Sequence, residues 1–306
     1  MIDAHLTQWL GLPVEEFQNG VSQPDAGVIY RIGYDYEDES YTTAELASFL
    51  NHADIGVIRG LILGLPGEPG DNHFTESYRL LAEAAPRMTN LKGLFLGDIL
   101  QEESEMSWIE QSDITPILSS FTKLETLFVR GSSGLVLKPC SNPSLKSLVL
   151  ESGGMPAEVL HALAECSFPE LEHLEIWLGD EGYGWNGAVT DVMAILRPGL
   201  FPKLKSLGLR NSEIANDLAS VLSDAPLLDQ LDELDLSLGT MTDEGAAILL
   251  QSPKIRVLKK LNLNHNYLTA ATLTQLAVLG PETDLGEQQS PSTYKGEVSY
   301  YVAVGE

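Results

Sequence analysis

A short apolar pattern recurs along most of the chain and constrains its fold more than any other feature. Each copy has an apolar residue, two variable residues, a second apolar residue, one variable residue and a third apolar residue. Clear copies begin at Leu91, Leu124, Leu145, Leu171, Leu204, Leu231 and Leu258, and weaker copies begin at Ile29 and Ile58. The spacing of 21 to 33 residues between copies predicts an array of repeats, each of which buries its apolar face against its neighbours.

Each copy of the pattern predicts a strand, and the segments between copies predict helices. The apolar positions alternate with variable ones, so they point into one core while their neighbours face the other side of a sheet. Helical patterns cover residues 43–50, 75–84, 114–121, 156–166, 188–196, 214–223, 242–251 and 269–279. The interval between Leu124 and Leu145 is too short for a helix of two turns, so we expect an extended segment there.

Several stretches carry a more specific resemblance. Residues 231–250, LDELDLSLGTMTDEGAAILL, and 258–276, LKKLNLNHNYLTAATLTQL, resemble leucine-rich repeats of the ribonuclease-inhibitor-like subclass. The phrases FPELEHLEIWLGDEGYGWNG and FPKLKSLGLRNSEIAND resemble a narrower group of bacterial cytoplasmic repeat proteins without an assigned activity.

The resemblance covers about residues 28–279. It implies an α/β leucine-rich repeat solenoid, a right-handed horseshoe of about nine units with a parallel sheet on the concave face and helices on the convex face. A fold of this kind does not assign a function.

The ends of the chain are expected to cap the array. Residues 1–27 predict an N-terminal cap made of a short helix and a loop, and residues 28–280 form the leucine-rich repeat domain. Residues 281–306 form a tail, in which 281–296 is polar and mobile and 298–304, VSYYVAV, is predicted to add a capping strand to the edge of the sheet.

The charge balance limits the class of partner. The chain has 44 acidic and 18 basic residues and a formal net charge of −26 at pH 7. This excludes nucleic acid as the expected partner, because phosphate binding depends on clustered Lys and Arg, and it favours a basic protein. No signal peptide and no apolar run long enough for a membrane is evident, and there are two cysteines, so we expect no membrane contact and a cytoplasmic location.

One part of the predicted concave face is apolar and another is polar. The register places Ile62, Phe95, Phe128 and Val149 in a central column, here called the apolar stripe. The stripe either binds the hydrophobic segment of a partner or is covered by the long loops of neighbouring repeats. Further along the chain, His173, Glu175, Trp177 and Arg210 lie on a polar part of the face that suits recognition of a protein.

Three loops after strands, at 64–74, 97–111 and 179–187, predict a rim along one edge of the sheet. Their candidate partner-binding residues are Trp108, Asp180, Tyr183 and Trp185, and their acids include Glu68, Asp71 and Asp98. Tryptophan and tyrosine are favoured anchors at interfaces, although they could instead pack back onto the strand ends. The acids could hold calcium, but the twelve-residue calcium loop is absent from the sequence.

The two cysteines and one asparagine have a structural interpretation. Cys140 and Cys166 each lie five residues before a repeat begins, so we expect them to stack as packing residues, with a redox pair as the alternative. Asn266 occupies the repeat position at which an asparagine bonds the backbone of a turn. The six histidines have no metal-ligand spacing, so no metal or cofactor is predicted.

The sequence therefore predicts a protein-protein interaction module without catalytic activity and favours a monomer. The alternative is a regulator of an enzyme, either an inhibitor of a basic enzyme or a GTPase-stimulating protein that supplies Arg130 or Arg210. A third class, an enzyme that uses Asp98, Glu175 and Asp180, has no nucleophile or metal set to support it.

Overall fold

The computed structural model describes residues 4–17, 23–34, 42–67 and 74–305. The chain divides into two compact units. The N-terminal half comprises Met1–Leu150 with Glu165–Leu171, and the C-terminal half comprises Glu151–Ala164 with Glu172–Glu306. The predicted rim residues Glu68 and Asp71 lie outside the described residues.

In each half the strands are hydrogen-bonded in the order in which they occur along the chain. The N-terminal half contains β1 (Gln8–Trp9), β2 (Leu12–Glu16), β3 (Ile29–Ile32), β4 (Gly60–Leu63), β5 (Gly93–Leu96), β6 (Thr126–Arg130) and β7 (Ser147–Glu151). The C-terminal half contains β8 (His173–Gly179), β9 (Ser206–Ser212), β10 (Glu233–Asp235), β11 (Lys260–Asn262) and β12 (Glu282–Asp284), followed by a hairpin of β13 (Ser292–Tyr294) and β14 (Glu297–Ser299). Strands β2 to β6 and β8 to β12 pair in parallel. All nine predicted strands, β3 to β11, are confirmed.

A helix lies between most successive strands, as the patterns predict. The helices are α1 (Thr42–Leu50), α2 (Thr75–Ala84), α3 (Thr115–Ser120), α4 (Ala157–Leu163), α5 (Val189–Ile195), α6 (Ala215–Leu222), α7 (Asp243–Gln251) and α8 (Ala270–Leu276). Residues 131–146, between β6 and β7, contain no helix, in agreement with the short interval.

The repeat pattern positions the core. Equivalent leucines pair across neighbouring strands, such as Leu61 with Leu94 and Leu94 with Leu127, and all three are fully buried. Leu46 and Phe49 of α1 are also fully buried. Burying a side chain of this size contributes about 1.5–3 kcal/mol. The protein is thus an α/β leucine-rich repeat structure in which strands and helices alternate.

Asparagines bind the backbone at the turns between repeats. Asn266 is fully buried, accepts the amide of Met241 (2.9 Å) and donates to the carbonyls of Leu236 (3.0 Å) and Leu263 (3.2 Å). Asn142 also accepts two backbone amides and donates to two backbone carbonyls in the N-terminal half. The structural role predicted for Asn266 is confirmed.

Replacing Asn266 with alanine is expected to lower the free energy of unfolding by about 2 kcal/mol, because buried backbone groups lose their partners. Urea denaturation measures this change. The control Asn264→Ala removes a side-chain contact to Asp284 that is exposed to solvent, and we expect it to change stability by no more than about 0.5 kcal/mol. Equal effects of the two substitutions would contradict the structural role of Asn266.

The N-terminal cap differs from the predicted helix and loop. Residues Gln8–Trp9 and Leu12–Glu16 form an antiparallel hairpin, and β2 pairs in parallel with β3. Leu10 and Gly11 have φ values of 50° and 75°, the left-handed conformations of a two-residue turn that matches the twist of its strands. The copy of the pattern that begins at Ile29 would align its fifth residue, Gly33, with Ile62. In the structure Arg31 pairs with Ile62, so the first repeat is shifted by two residues.

The C-terminal tail also differs from the prediction. The last strand added to the sheet is Glu282–Asp284, which pairs with β11 and lies in the segment predicted to be mobile. Residues 298–304 do not extend the sheet as a capping strand. Residues 298 and 299 belong to the β13–β14 hairpin, and the residues that follow return to the strand ends of the C-terminal half.

The two cysteines stack, as their equivalent positions predict. Their Sγ atoms lie 3.8 Å apart, and both thiols are free. The hydrogen bond with Cys166, together with burial, raises the pKa of the Cys140 thiol. This keeps Cys140 in the thiol form, which suits a packing residue.

Candidate functional site: the polar sheet face and strand-end edge of the C-terminal half

The apolar stripe of the N-terminal half is not an open surface. Ile62 is 0% exposed and Phe95 is 1% exposed, and they form one cluster with Ile29. Phe128 is half-buried with its ring centroid 4.4 Å from that of Phe95, and Val149 is buried.

The N-terminal hairpin covers the stripe. Trp9, Leu10, Leu12 and Val14 pack against the cluster, and the ring of Trp9 lies 6.4 Å from that of Phe95. A Cβ atom at Gly93 would lie 2.5 Å from Leu10 Cδ1 and 2.8 Å from the Trp9 ring, so glycine lets both side chains lie close to the strand. Of the two alternatives left open by the sequence, the stripe is covered, but residues 9–14 cover it and not the long loops.

A buried charge cluster lies close to this cover. The sequence predicts Asp98 as an acid of the rim, but its side chain is only 2% exposed. Asp98 is therefore buried and does not belong to an exposed rim. Its Oδ2 atom lies 3.0 Å from Arg31 Nε and 3.2 Å from His5 Nδ1, and its Oδ1 atom lies 3.6 Å from Arg130. Burial raises the pKa of Asp98, but His5, Arg31 and Arg130 lower it by more, so the net shift is below its ordinary value.

In the C-terminal half, the polar face brings together four of the predicted residues. Glu175 Oε1 accepts from Trp177 Nε1 (2.7 Å) and from Arg210 (2.8 Å), and the Arg210 guanidinium lies 5.0 Å from the centroid of the Trp177 ring. His173 contacts Ser206 through Nδ1 (3.0 Å) and lies 3.8 Å from Glu175. Strands β8 and β9 place these side chains, because alternate residues share a face.

A hollow of about 350 Å³ lies on the same face, across β8 to β12. Its ionisable lining residues are Glu175, Glu233, Asp235, Glu282 and Asp284, together with Lys260 and His173. Carboxylates therefore dominate its charge. Asp235 is partly neutralised, because its Oδ2 atom accepts from Asn262 (2.8 Å) and lies 3.6 Å from Arg210. Glu282 and Asp284 were not among the predicted site residues, because their segment has no leucine pattern.

The predicted rim residues differ in exposure. Trp108, in a short 3-10 helix, is 69% exposed, whereas Trp185 is 3% exposed and packs back onto Gly187 and its neighbours. Asp180 accepts the amide of Gly182 (2.8 Å), which fixes the start of its loop. Tyr183 is half-buried against Gly305 of the C-terminal tail.

The arginines considered as GTPase-stimulating fingers are both engaged. Arg130 is buried, donates to the carbonyl of Ile99 (3.1 Å) and lies over the Phe95 ring. Arg210 donates to Glu175 and, through Nε, to Ser237 (3.0 Å). Within the described residues, no group of three or more His, Cys, Asp or Glu side chains could hold a metal ion. In that same part of the chain, no helix has the length and apolar character needed to cross a membrane.

A solved structure resembles this chain over most of its length. The crystal structure of a Bacteroides fragilis protein, solved as a structural-genomics target, superposes with a TM-score of 0.78 and 30% identity, over 84% of this chain and 74% of that one. The chain belongs to the same family as this Bacteroides protein. The family shares the repeat fold described here, and fold alone does not assign an activity.

Other comparisons add little. An internalin from Listeria monocytogenes matches with a TM-score of 0.38 and 16% identity, over 86% of this chain and 74% of that one. No protein-family model and no curated protein matches the chain.

Proposed function

We propose that the protein is a non-catalytic interaction module whose C-terminal half binds a basic segment of another protein. The acidic hollow on the face of β8 to β12 carries this proposal. Five carboxylates line it beside one lysine and one histidine, so a segment with Lys or Arg side chains complements its charge. The formal net charge of −26 would speed the encounter with such a partner.

The neighbouring side chains support a binding role and not an enzymatic one. Glu175, Trp177 and Arg210 are held by hydrogen bonds and stacking, which gives the hollow one fixed wall. A wall that is already ordered loses little conformational freedom when a partner binds. The carboxylates considered for catalysis are held by donors, Glu175 by Trp177 and Arg210, and Asp180 by Gly182.

Part of the predicted partner-binding set remains in this proposal. His173, Glu175, Trp177 and Arg210 belong to the proposed surface, while Asp180 and Tyr183 lie in the loop that follows β8. Trp108 is an exposed anchor for a partner in the N-terminal half. The buried members of the apolar stripe contribute no area to a binding surface.

Charge reversal tests the hollow. The double variant Glu233→Lys/Glu282→Lys is expected to weaken binding of a synthetic Gly-Lys repeat peptide by about tenfold or more, because two lining carboxylates become cations. Isothermal titration calorimetry at about 50 mM salt gives the affinity, and salt screening is moderate under these conditions.

The control variant changes the net charge by the same amount but replaces two exposed acidic residues elsewhere. Glu102→Lys/Glu244→Lys alters one residue near the loop after β5 and one in α7, both outside the hollow. We expect the control to weaken binding by no more than about twofold, as a general effect of charge. Equal losses in the two double variants would show that the peptide binds the overall charge of the protein, and the proposed site would be rejected.

We also infer that the repeats belong to the ribonuclease-inhibitor-like subclass and that the protein is bacterial and cytoplasmic. Full helices such as α2 and α7, with 10 and 9 residues, support the subclass. Two free cysteines support a reducing compartment. Crystallography of the chain tests the subclass, and fractionation of cells that express the protein tests the location.

A further inference from the structure

The C-terminal segment 301–305 lies along the loops that follow the strands of the C-terminal half. Its contacts come from Gly153, Tyr183, Asn211, Leu238 and Tyr267, here called the strand-end edge. This edge is separate from the acidic hollow, and none of its five residues lines that hollow.

Two side chains each bond both main-chain groups of one residue in the segment. The Tyr267 hydroxyl donates to the carbonyl of Tyr301 (2.9 Å) and accepts its amide (3.0 Å). The Asn211 side chain accepts the amide of Val304 (2.9 Å) and donates to its carbonyl. This pairing satisfies an extended backbone in the way a neighbouring strand would.

The backbone of the edge supplies a further bond. Asn211, Leu238 and His265 occupy equivalent positions of successive repeats at intervals of 27 residues, and all have left-handed φ values between 51° and 66°. The carbonyl of Leu238 accepts the amide of Ala303 (2.9 Å). The segment is therefore held through its amides at 301, 303 and 304.

Two glycines allow the end of the segment to lie close to the edge. A Cβ atom at Gly305 would overlap the Tyr183 ring, and a Cβ atom at Gly153 would overlap the carbonyl oxygen of Gly305. The edge thus accommodates an extended segment with glycine directly after the residue that Asn211 binds.

The segment is held mainly through its backbone. An exposed stretch of chain connects it to the repeats. The side chain of Tyr301 is 61% exposed, and residues 290–298, which include the β13–β14 hairpin, are all exposed. Val302, Ala303 and Val304 are half-buried on the edge, so releasing the segment uncovers only a modest apolar area. Because the segment is attached to the same chain, its effective concentration at the edge is high, and an equivalent segment from another chain has to compete with it.

We propose that the strand-end edge is a peptide-binding groove and that residues 301–305 occupy it as an intramolecular competitor. The partner is an extended segment of another protein that has free amides at the three bonded positions, hence no proline there, and glycine at the position of Gly305. This goes beyond the binding of a basic segment in the acidic hollow, because the contacts are to the backbone and do not depend on charge.

The test uses a fluorescein-labelled peptide of residues 298–306, VSYYVAVGE, and variants of the full chain. Val304→Pro removes the amide that Asn211 accepts and should release the segment. Fluorescence anisotropy is expected to show that this variant binds the peptide at least about tenfold more tightly than the wild type, in which the groove is occupied. The matched control Val302→Ala leaves every bonded amide in place and should behave as the wild type.

Two further measurements locate the bound peptide. Adding Tyr267→Phe to Val304→Pro removes the hydroxyl that bonds residue 301, and should weaken peptide binding about five- to tenfold. A peptide that itself carries Val304→Pro should not bind. The Glu233→Lys/Glu282→Lys variant tests the hollow separately, since adding it to Val304→Pro should leave binding of the VSYYVAVGE peptide unchanged.

Hydrogen exchange checks that the segment is seated and then released. The amides of Tyr301 and Ala303 should be protected in the wild type and should lose protection in Val304→Pro, while those of Leu207 and Leu234 in β9 and β10 remain protected. Peptide binding by Val304→Pro that is no tighter than that of the wild type would overturn the proposal. The proposal would also be overturned if the amides of Tyr301 and Ala303 in the wild type exchanged as fast as those of an unstructured peptide.

Discussion

Replacing Phe95 with alanine is expected to lower the free energy of unfolding of the N-terminal half by about 3–5 kcal/mol. Phe95 is 1% exposed and contacts Ile29, Ile62 and the N-terminal hairpin, so the substitution leaves a cavity that its neighbours cannot fill. Chemical denaturation followed by circular dichroism measures the loss. The m-value shows whether the substitution also changes the area exposed on unfolding.

The exposed aromatic Trp108 provides the control for Phe95. It is 69% exposed, so Trp108→Ala should change stability by no more than about 0.5 kcal/mol. If Phe95 belonged to an open binding surface, its replacement would have as little effect as that of Trp108. A loss below about 1 kcal/mol for Phe95→Ala would thus contradict the position of the hairpin.

Replacing Asp98 with asparagine should destabilise the N-terminal half by a similar amount, about 3–5 kcal/mol, because two buried cations lose their shared carboxylate. The side chains of Arg31 and Arg130 are each 7% exposed. Glu16 still contacts Arg31 at 3.1 Å, which compensates only part of the loss, since Glu16 is largely exposed. Urea denaturation at pH 7 gives the difference.

The effect of Asp98 should depend on pH in one direction. The pKa of Asp98 in the folded protein lies below its ordinary value, which is about 3.9 in an unfolded chain. The stabilisation by the ionised carboxylate is therefore complete above about pH 5 and decreases as the pH falls through 4 and below. The difference in free energy of unfolding between the wild type and Asp98→Asn should therefore decrease as the pH falls over that range.

The control for Asp98 is a solvent-screened carboxylate, Glu125, in the same half of the chain. Glu125 pairs with Lys92 (2.7 Å) and Lys146 (2.8 Å), and its side chain is 32% exposed. Glu125→Gln should cost no more than about 1 kcal/mol. An equal loss of unfolding free energy in Glu125→Gln and Asp98→Asn would contradict the assigned role of the buried cluster. A loss in Asp98→Asn that does not change with pH would contradict it as well.

The interior of the repeat domain could be predicted from the sequence with few errors. The leucine spacing located every strand from β3 to β11, and the helical patterns between the copies located α1 to α8, because each repeat contains its own apolar face and its own turn. The short interval after Leu124 correctly predicted a repeat without a helix. Even the role of Asn266 followed from its position in a repeat, since its partners lie in the adjacent turns.

The ends and the site could not be predicted in this way, because they depend on contacts between residues far apart in the sequence. Nothing local to Leu10 shows that it packs beside Gly93, and nothing local to Asp98 shows that it lies beside Arg31. Asn211 and Val304 meet across 93 residues. The residues of the hollow come from five strands, of which β12 has no leucine pattern.

The sequence by itself determined the architecture, the excess of negative charge and the register of most strands, since all of these arise from periodic or summed properties of the chain. Only the tertiary structure decided which surfaces are free. It buried the apolar stripe under the N-terminal hairpin, buried Asp98 between two arginines, and placed residues 301–305 on the strand-end edge. The physical reason is that the exposure of a side chain depends on every segment that reaches it, and the terminal segments that do so here follow no repeat.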